Sequence, residues 1–370
     1  MKILVTGGAG FIGSFLVDRL VRDGHKVRIY DTLDPQVHRH QKKPAYLNPE
    51  AEFIQGDVRD QESLAKALEN IDIVFHEAAA VGVGQSQYQI KHYMDVNTGG
   101  TANLLDILAN RKHRVQKIIV AASMSSYGEG GYRCATCGDL RPPTRPEAQL
   151  AKKQWELLCP QCKAILTPIP ISETAERQCQ SMYALSKMDQ EEMVLNFGKT
   201  YGIPAVALRY FNVYGPRQSL SNPYTGVAAI FMSRIKNNRS PVVYEDGLQT
   251  RDFISVHDIV EANILAMTKS EANEGAFNVG SGQKLSILDI ANVLIELYGS
   301  SIRPQVTCRF RKGDIRHCIA DISKVKTKLG FKPKVSFQEG MKELIHYSQE
   351  GEAIDLFDQA SQELKTRGLA

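Results

Sequence analysis

The first thirteen residues constrain the fold of this chain more than any other stretch. Lys2-Ile3-Leu4-Val5-Thr6 is a short apolar, β-branched run of the kind that is buried on both faces of a parallel sheet. It leads into Gly7-Gly8-Ala9-Gly10-Phe11-Ile12-Gly13, and from Ser14 to Val21 apolar residues recur at helical spacing. Strand, glycine turn and helix in that order place free backbone N–H groups at a helix start, where small residues let a phosphate approach. The contacts expected from the turn are Gly7, Gly10, Phe11, Ile12 and Gly13. The spacing Gly7-x-x-Gly10-x-x-Gly13 differs from the commoner G-x-G-x-x-G, so the turn gains its meaning from the residues downstream.

Directly downstream is a second strand, Lys26–Asp31, that ends in a carboxylate. An acid about twenty residues past the glycines is placed to accept from an adenosine ribose and to repel a 2′-phosphate, which predicts NAD rather than NADP. Residues 32–48 read as a polar loop with His38 and His40 solvated. A third strand, Ala51–Val58, puts Asp57 within reach of an adenine amine and Val58 against the ring. A helix over Gln61–Asn70 and a fourth strand over Ile71–His76 come next. The small residues Ala78, Ala79 and Ala80 then allow close approach to the cofactor. Val81–Tyr88, with two glycines, reads as a mobile loop over the crevice, and a helix is expected over 102–109. A fifth strand, Lys117–Ala122, runs into Ser123-Met124-Ser125-Ser126-Tyr127-Gly128. This alternation predicts an α/β, doubly wound parallel Rossmann sheet, with ligands outside the carboxyl ends of its strands.

Tyr183-Ala184-Leu185-Ser186-Lys187 opens an amphipathic pattern that runs to about Lys199. Positions four apart share a helix face, so phenol and ammonium point the same way. A fixed cation and an oxidised nicotinamide nearby are expected to lower the phenol from its usual value of about 10, making Tyr183 a usable general base.

Seven cysteines bear on compartment. The chain opens directly on a strand, without a charged and then apolar leader, and no apolar run is long enough to span a bilayer, which predicts a cytoplasmic protein with reduced thiols. A net charge of +4 over 370 residues is not the footprint of a nucleic-acid binder. Four of the thiols form Cys134-x-x-Cys137 and Cys159-x-x-Cys162. Two such pairs across a loop of this size predict a closed tetrahedral zinc site of structural purpose. The segment between them, with Pro142, Pro143, Pro146 and Trp155, is too short and polar to hold a core without the metal. Cys179, Cys308 and Cys318 read as ordinary thiols.

The glycine turn, Asp31, Asp57, Ser123 and Tyr183-x-x-x-Lys187 occur together in the order of one family. The chain resembles the extended short-chain dehydrogenase/reductases, in particular the NAD-dependent nucleotide-sugar epimerases and dehydratases. The resemblance continues in Leu208–Pro216, Asp246–Phe253, Phe277–Gly282, Gly313–Arg316 and Ala320-Asp321. It implies Tyr183 as catalytic base, Lys187 on the nicotinamide ribose and Ser123 on the reacting hydroxyl, with Ser125 beside it. It extends the cofactor contacts to Asn97, Tyr210 and Val213. It puts Asn212 on the substrate diphosphate and makes Arg251 and Arg316 the guanidiniums that clamp it. Family members that dehydrate the sugar carry an acidic pair just after the crevice serine or threonine. Met124 and Ser125 stand there instead, which implies 4-epimerisation.

The C-x-x-C…C-P-x-C insertion, Val81–Ser86 and the tail Phe357–Leu364 are similar to dTDP-L-rhamnose 4-epimerases, implying conversion of dTDP-L-rhamnose to dTDP-6-deoxy-L-talose. A UDP-hexose 4-epimerase, another nucleotide-sugar oxidoreductase and a non-catalytic NAD-binding scaffold are the alternatives. The implied domains are an NAD-binding unit (1–128, 164–213 and about 251–282), the zinc module (129–163), a substrate lobe (214–250 and 283–350) and a tail helix (351–370). Analogy implies a homodimer through the helices near 100–109 and 183–199.

Overall fold

A computed structural model describes residues 1–38, 41–311, 313–350 and 354–369. His40 lies outside them. Five strands from the first third of the chain, β1 (Lys2–Thr6), β2 (Lys26–Asp31), β3 (Glu52–Gln55), β4 (Ile73–His76) and β5 (Lys117–Ser123), join Ala205–Tyr210 and Gly275–Val279 in one sheet. All neighbours run parallel, in the order 275–279, 205–210, β5, β4, β1, β2, β3. The strand order reverses between β1 and β4, and the crevice outside their carboxyl ends is the switch point of a doubly wound sheet.

The apolar runs are continuous because both faces are covered. Ile3 and Val5 of β1, with Ile119 and Ala121 of β5, pack against Leu16, Val17 and Leu20 of α1 (Phe11–Arg22) and Ile259 of the helix Val256–Thr268. Leu4, Ile118 and Val120 face the other way, onto Leu64 of α2 (Gln61–Ala67), Leu104 of the helix Gly100–Asn110 and Val194 of the helix Met182–Tyr201. The period of two along each strand sends alternate side chains to opposite layers. Among the described residues no helix is long and apolar enough to cross a membrane.

Two expectations are corrected here. Val81–Tyr88 is not an open loop: it holds a one-turn helix, Val83–Ser86, with Gln85 buried and bonded to Tyr93 and Gln36. His38 is buried and lines the crevice instead of meeting solvent.

A second lobe packs the helices Val227–Lys236, Ile287–Leu297 and Phe337–Glu350 around Phe231, Ile290, Leu294 and Leu344. The cysteine insertion is a three-stranded antiparallel sheet of Gly131–Cys134, Gly138–Leu140 and Thr167–Ile169. The last of these strands carries the module past residue 163. Its core is Tyr132, Leu157 and Leu166 with Cys134 and Cys159.

Candidate active site

One cavity of ≈ 1020 Å³ runs along the carboxyl ends of the sheet and into the cleft between the lobes. It exceeds what one drug-sized ligand fills. At its sheet end the turn residues Gly7, Gly10, Phe11, Ile12 and Gly13 line it. Gly7 has φ +69°, and a Cβ there would stand 2.8 Å from the Ala78 nitrogen. A Cβ on Gly13 would stand 2.3 Å from the Gly7 oxygen. The turn and the start of α1 interlock at backbone distance, which leaves a cradle that side chains would fill. Asp31 Oδ2 accepts from the Ala9 N–H and Oδ1 from the Leu33 N–H, both at 2.9 Å. The acid fixes the turn and keeps further lone pairs facing the crevice. Asp57, Val58, Ala78, Ala79 and Ala80 complete this end, with Asp57 paired to Arg59. These groups fit an adenine dinucleotide.

Asn97 does not belong with them. It is fully buried in a wide helical turn, Met94–Gly99, and does not line the cavity. Its amide accepts from the Ala80 N–H (2.7 Å) and donates to the Ala80 carbonyl (3.1 Å) and Ser186 Oγ (2.9 Å). It holds the alanine segment in place by consuming its own polar atoms.

At the centre of the cavity Ser123, Tyr183 and Lys187 converge. Ser123 ends β5, and Tyr183 sits in the first turn of the helix capped by Ser181. The Ser123 hydroxyl lies beside the phenol and accepts from Ser125 Oγ at 2.9 Å. Tyr93 meets the Tyr183 ring edge-on at 6.4 Å. Lys187 Nζ donates to the Ala121 carbonyl (2.6 Å) and to Gln190 Oε1 (2.8 Å), both neutral. The protein's own groups do not lower the phenol pKa as expected. Burial pushes it above the usual value and Ser123 only partly offsets that. Burial also brings Lys187 down to about 8, with Glu77 pulling the other way.

Glu77 carries no motif in the sequence, although its place directly after β4 marks the carboxyl end of a strand. It lines the cavity and accepts from the Tyr210 hydroxyl at 2.9 Å, whose oxygen in turn accepts from Asn263 Nδ2 at 2.7 Å. Burial raises Glu77 to about 7 against the pull of Tyr210 and Lys187. Tyr210 and Val213 line the cavity as expected.

Toward the second lobe, Asn212, Arg251 and Ser125 reach the cavity. Arg316 does not. Its guanidinium is fully buried and held by Glu245 (2.9 Å), Asp246 (2.7 Å) and Glu156 of the cysteine module. Arg145 of the module makes a two-pronged pair with the same Glu245 and donates to the Asp314 carbonyl. Three acids and a second arginine account for Arg316, so it is a tie between module and lobe, not a ligand clamp. The other guanidinium at the lobe end of the cavity is Arg311, stacked 4.8 Å over Tyr244 and paired with Asp314 at 2.8 Å. Three cavity-lining amide oxygens, on Asn212, Gln218 and Gln249, are buried with no partner in the protein. Unpaired buried acceptors call for ligand donors, and hydroxyls of a sugar or an N–H of a base would supply them.

The sulfur atoms of Cys134, Cys137, Cys159 and Cys162 all lie within 4.8 Å of one another, with Cys134 and Cys162 at 3.4 Å, too far for a disulfide. Four thiol ligands at this spacing surround a point suited to one tetrahedral ion.

Comparison with known proteins places this geometry. Residues 3–159 match the NAD dependent epimerase/dehydratase family, and residues 166–344 match the GDP-mannose 4,6 dehydratase family. The chain is 36% identical over 346 residues to a dTDP-L-rhamnose 4-epimerase of Burkholderia thailandensis, covering 93% of each protein. It superposes on the UDP-glucose 4-epimerase of Thermotoga maritima, solved with UDP-glucose, with a TM-score of 0.77 at 31% identity, covering 95% of this chain and 99% of that one. It also superposes on the UDP-glucuronic acid 4-epimerase of Bacillus cereus, solved with UDP-glucuronic acid and NAD. There the TM-score is 0.77 at 28% identity, with 95% and 99% covered.

Proposed function

Because the chain belongs to the NAD-dependent epimerase/dehydratase family, we propose that it interconverts a nucleotide sugar and its C4 epimer with bound NAD. We propose further that the sugar is a dTDP-linked 6-deoxy-L-hexose, dTDP-L-rhamnose on one side and dTDP-6-deoxy-L-talose on the other. The observation that carries the reaction class is the meeting of Ser123, Tyr183 and Lys187 in a cavity whose 124 and 125 positions are Met and Ser. Epimerisation at C4 needs one group to take and return a hydroxyl proton. Elimination from C6 needs a further acid and base, and neither stands beside Ser123.

In this reading the glycine turn, Asp31 and Asp57 hold the dinucleotide, and NAD, when bound, supplies the hydride acceptor and donor at C4. Ser123 holds the C4 hydroxyl against the Tyr183 oxygen, which takes its proton. Lys187, whose protein partners are neutral, offers its charge to the phenolate and the nearby ribose. The 4-keto sugar then rotates in the cleft and Tyr183 returns the proton to the other epimer. Arg251 and Arg311 hold the diphosphate, with Asn212 beside them. The 6-deoxy sugar is assigned from the Burkholderia relative, which spans nearly the whole chain.

Incubation of the purified protein with dTDP-L-rhamnose should yield the 6-deoxy-L-talose signals by NMR with no net NADH absorbance. Conversion of UDP-glucose alone would replace the substrate and keep the mechanism. Tyr183→Phe should lose about two to four orders of magnitude in kcat while retaining NAD. An unimpaired variant removes Tyr183 from the role.

We assign the four-cysteine site to structural zinc, since four thiolates leave no coordination position open. Elemental analysis should find about one zinc per chain. The helices Gly100–Asn110 and Met182–Tyr201, joined by Gln190 to Thr101 at 2.9 Å, are the surface we assign to a homodimer, to be checked by light scattering.

A further inference from the structure

The tail that the sequence sets apart plays no part in the chemistry above, yet it shares the cavity. Ala360, Ser361 and Leu364 of the helix Phe357–Thr366 line the same space as Tyr183 and Arg251. The helix is fixed at both ends. Before and at its start, Asp355 and Asp358 pair with Arg234 and Arg239 of the second lobe, and the Ile354 N–H donates to Ser221 Oγ at 3.0 Å. Near its end, Glu363 Oε2 accepts from the Tyr88 hydroxyl at 2.9 Å and the Tyr224 hydroxyl at 2.7 Å. The two phenol oxygens are 2.6 Å apart, and Arg367 stacks 4.2 Å over the Tyr88 ring.

Tyr88 comes after the helical turn beyond β4, on the cofactor side, whereas Tyr224 precedes the helix Val227–Lys236 of the second lobe. One carboxylate therefore joins the two sides of the crevice. From there the packing runs inward to the reacting groups. Leu364 lies on Gly84, where a Cβ would sit 3.4 Å from its Cδ2. A Cβ on Gly82 would sit 3.1 Å from Tyr224 Cβ and 2.6 Å from the Tyr93 oxygen, and Tyr93 is the residue that meets the Tyr183 ring.

We propose that the helix Phe357–Thr366 is a wall of the sugar-binding half of the cavity and that Glu363 is a positioning residue. By clamping Tyr88 to Tyr224, Glu363 sets the width of that half. The proposal rests on the nucleotide-sugar reading, but not on the identity of the sugar. A glutamine at this position keeps an oxygen that can accept from both phenols. An alanine leaves two partly buried hydroxyls with only each other.

The test compares Glu363→Ala and Glu363→Gln with the wild type in the full-length, NAD-loaded enzyme. With dTDP-L-rhamnose, the alanine variant should raise KM about tenfold with kcat within about twofold, and glutamine should restore most of the difference. NAD content should stay at the wild-type level. Hydrogen exchange should quicken together in peptides 82–89 and 219–226 of the alanine variant. Unchanged KM with unchanged exchange in either peptide overturns the clamp, and so does loss of NAD in step with the rise in KM. If the wild type leaves dTDP-L-rhamnose untouched, the substrate assignment fails on its own. The KM comparison then passes to UDP-glucose, while the exchange comparison, which needs no substrate, still decides on Glu363.

Discussion

The two ends of the crevice are built by different means. At the sheet end the binding surface is backbone: Gly7 and Gly13 approach Ala78 and one another at distances no side chain permits, and Asp31 secures the turn from the next strand. The partners lie close in sequence or on neighbouring strands. At the lobe end the surface is side chain and charge, backed by buried ion pairs assembled over long separations. Arg145 reaches Glu245, 100 residues away, and Arg316 reaches Glu156, 160 residues away. The first kind of site is specified by residue spacing. The second is specified by which charges meet after folding, and spacing is silent about that.

The largest effect should come from breaking the sheet end. Gly13→Val forces a side chain into the Gly7 carbonyl. It should purify without NAD and turn over at least about a hundredfold more slowly, about 3 kcal/mol in the barrier. Cofactor released from the denatured protein measures it, and full NAD content would show that the backbone cradle is not the site.

Next comes the contrast between the two arginines that the resemblance treats alike. Arg316→Met leaves Glu245, Asp246 and Glu156 gathered without their central cation and should cost about 3–5 kcal/mol, read as a fall in Tm. Arg251→Met, which frees three backbone carbonyls and Asp314, should lower Tm less than Arg316→Met and raise KM about tenfold through a lost charge-assisted contact. The reverse pattern, KM for Arg316 and Tm for Arg251, would exchange their roles.

The last contrast depends on pH and belongs to Glu77, where the ends meet. Its pKa is raised from 4.5 to about 7, so the folded state holds the proton more tightly than the unfolded chain. That contribution is full below about pH 4.5 and is lost as pH rises through about 7. Glu77→Gln is neutral throughout. Its stability relative to wild type should climb between about pH 4.5 and 7 and then level off. A flat difference in denaturation midpoint across that range would mean that the carboxyl is ionised at ordinary cost.

The same contrast explains what could be read from the residues alone. β1, the turn, α1 and β2 were legible because apolar period and glycine spacing are local signals. The meeting of Ser123, Tyr183 and Lys187 in one cavity was legible because a strand end and a helix register place them, and the gathering of the four cysteines because each C-x-x-C pair turns two thiols the same way. Asn97 and Arg316 were misplaced because a motif position says nothing of how many partners a side chain finds. Both find enough in the protein to leave none for a ligand. Arg311 and Glu363 could not be read, since what matters is Tyr244 under one and Tyr88 with Tyr224 above the other. The expected depression of the Tyr183 pKa rests on Lys187 and an oxidised nicotinamide together; among the protein's own groups burial outweighs the Ser123 hydroxyl.

Asp31 carries one more implication, for how such a chain could exchange one dinucleotide for another. The residue that would discriminate against a phosphorylated ribose is the residue that pins Ala9 and Leu33. Exchange for a basic side chain removes both anchors from the phosphate turn in the same stroke, and an amide keeps only one acceptor oxygen for the two. A lineage, or an engineer, seeking the phosphorylated cofactor must therefore rebuild the turn before changing the acid, and that order makes the preference hard to reverse by single steps.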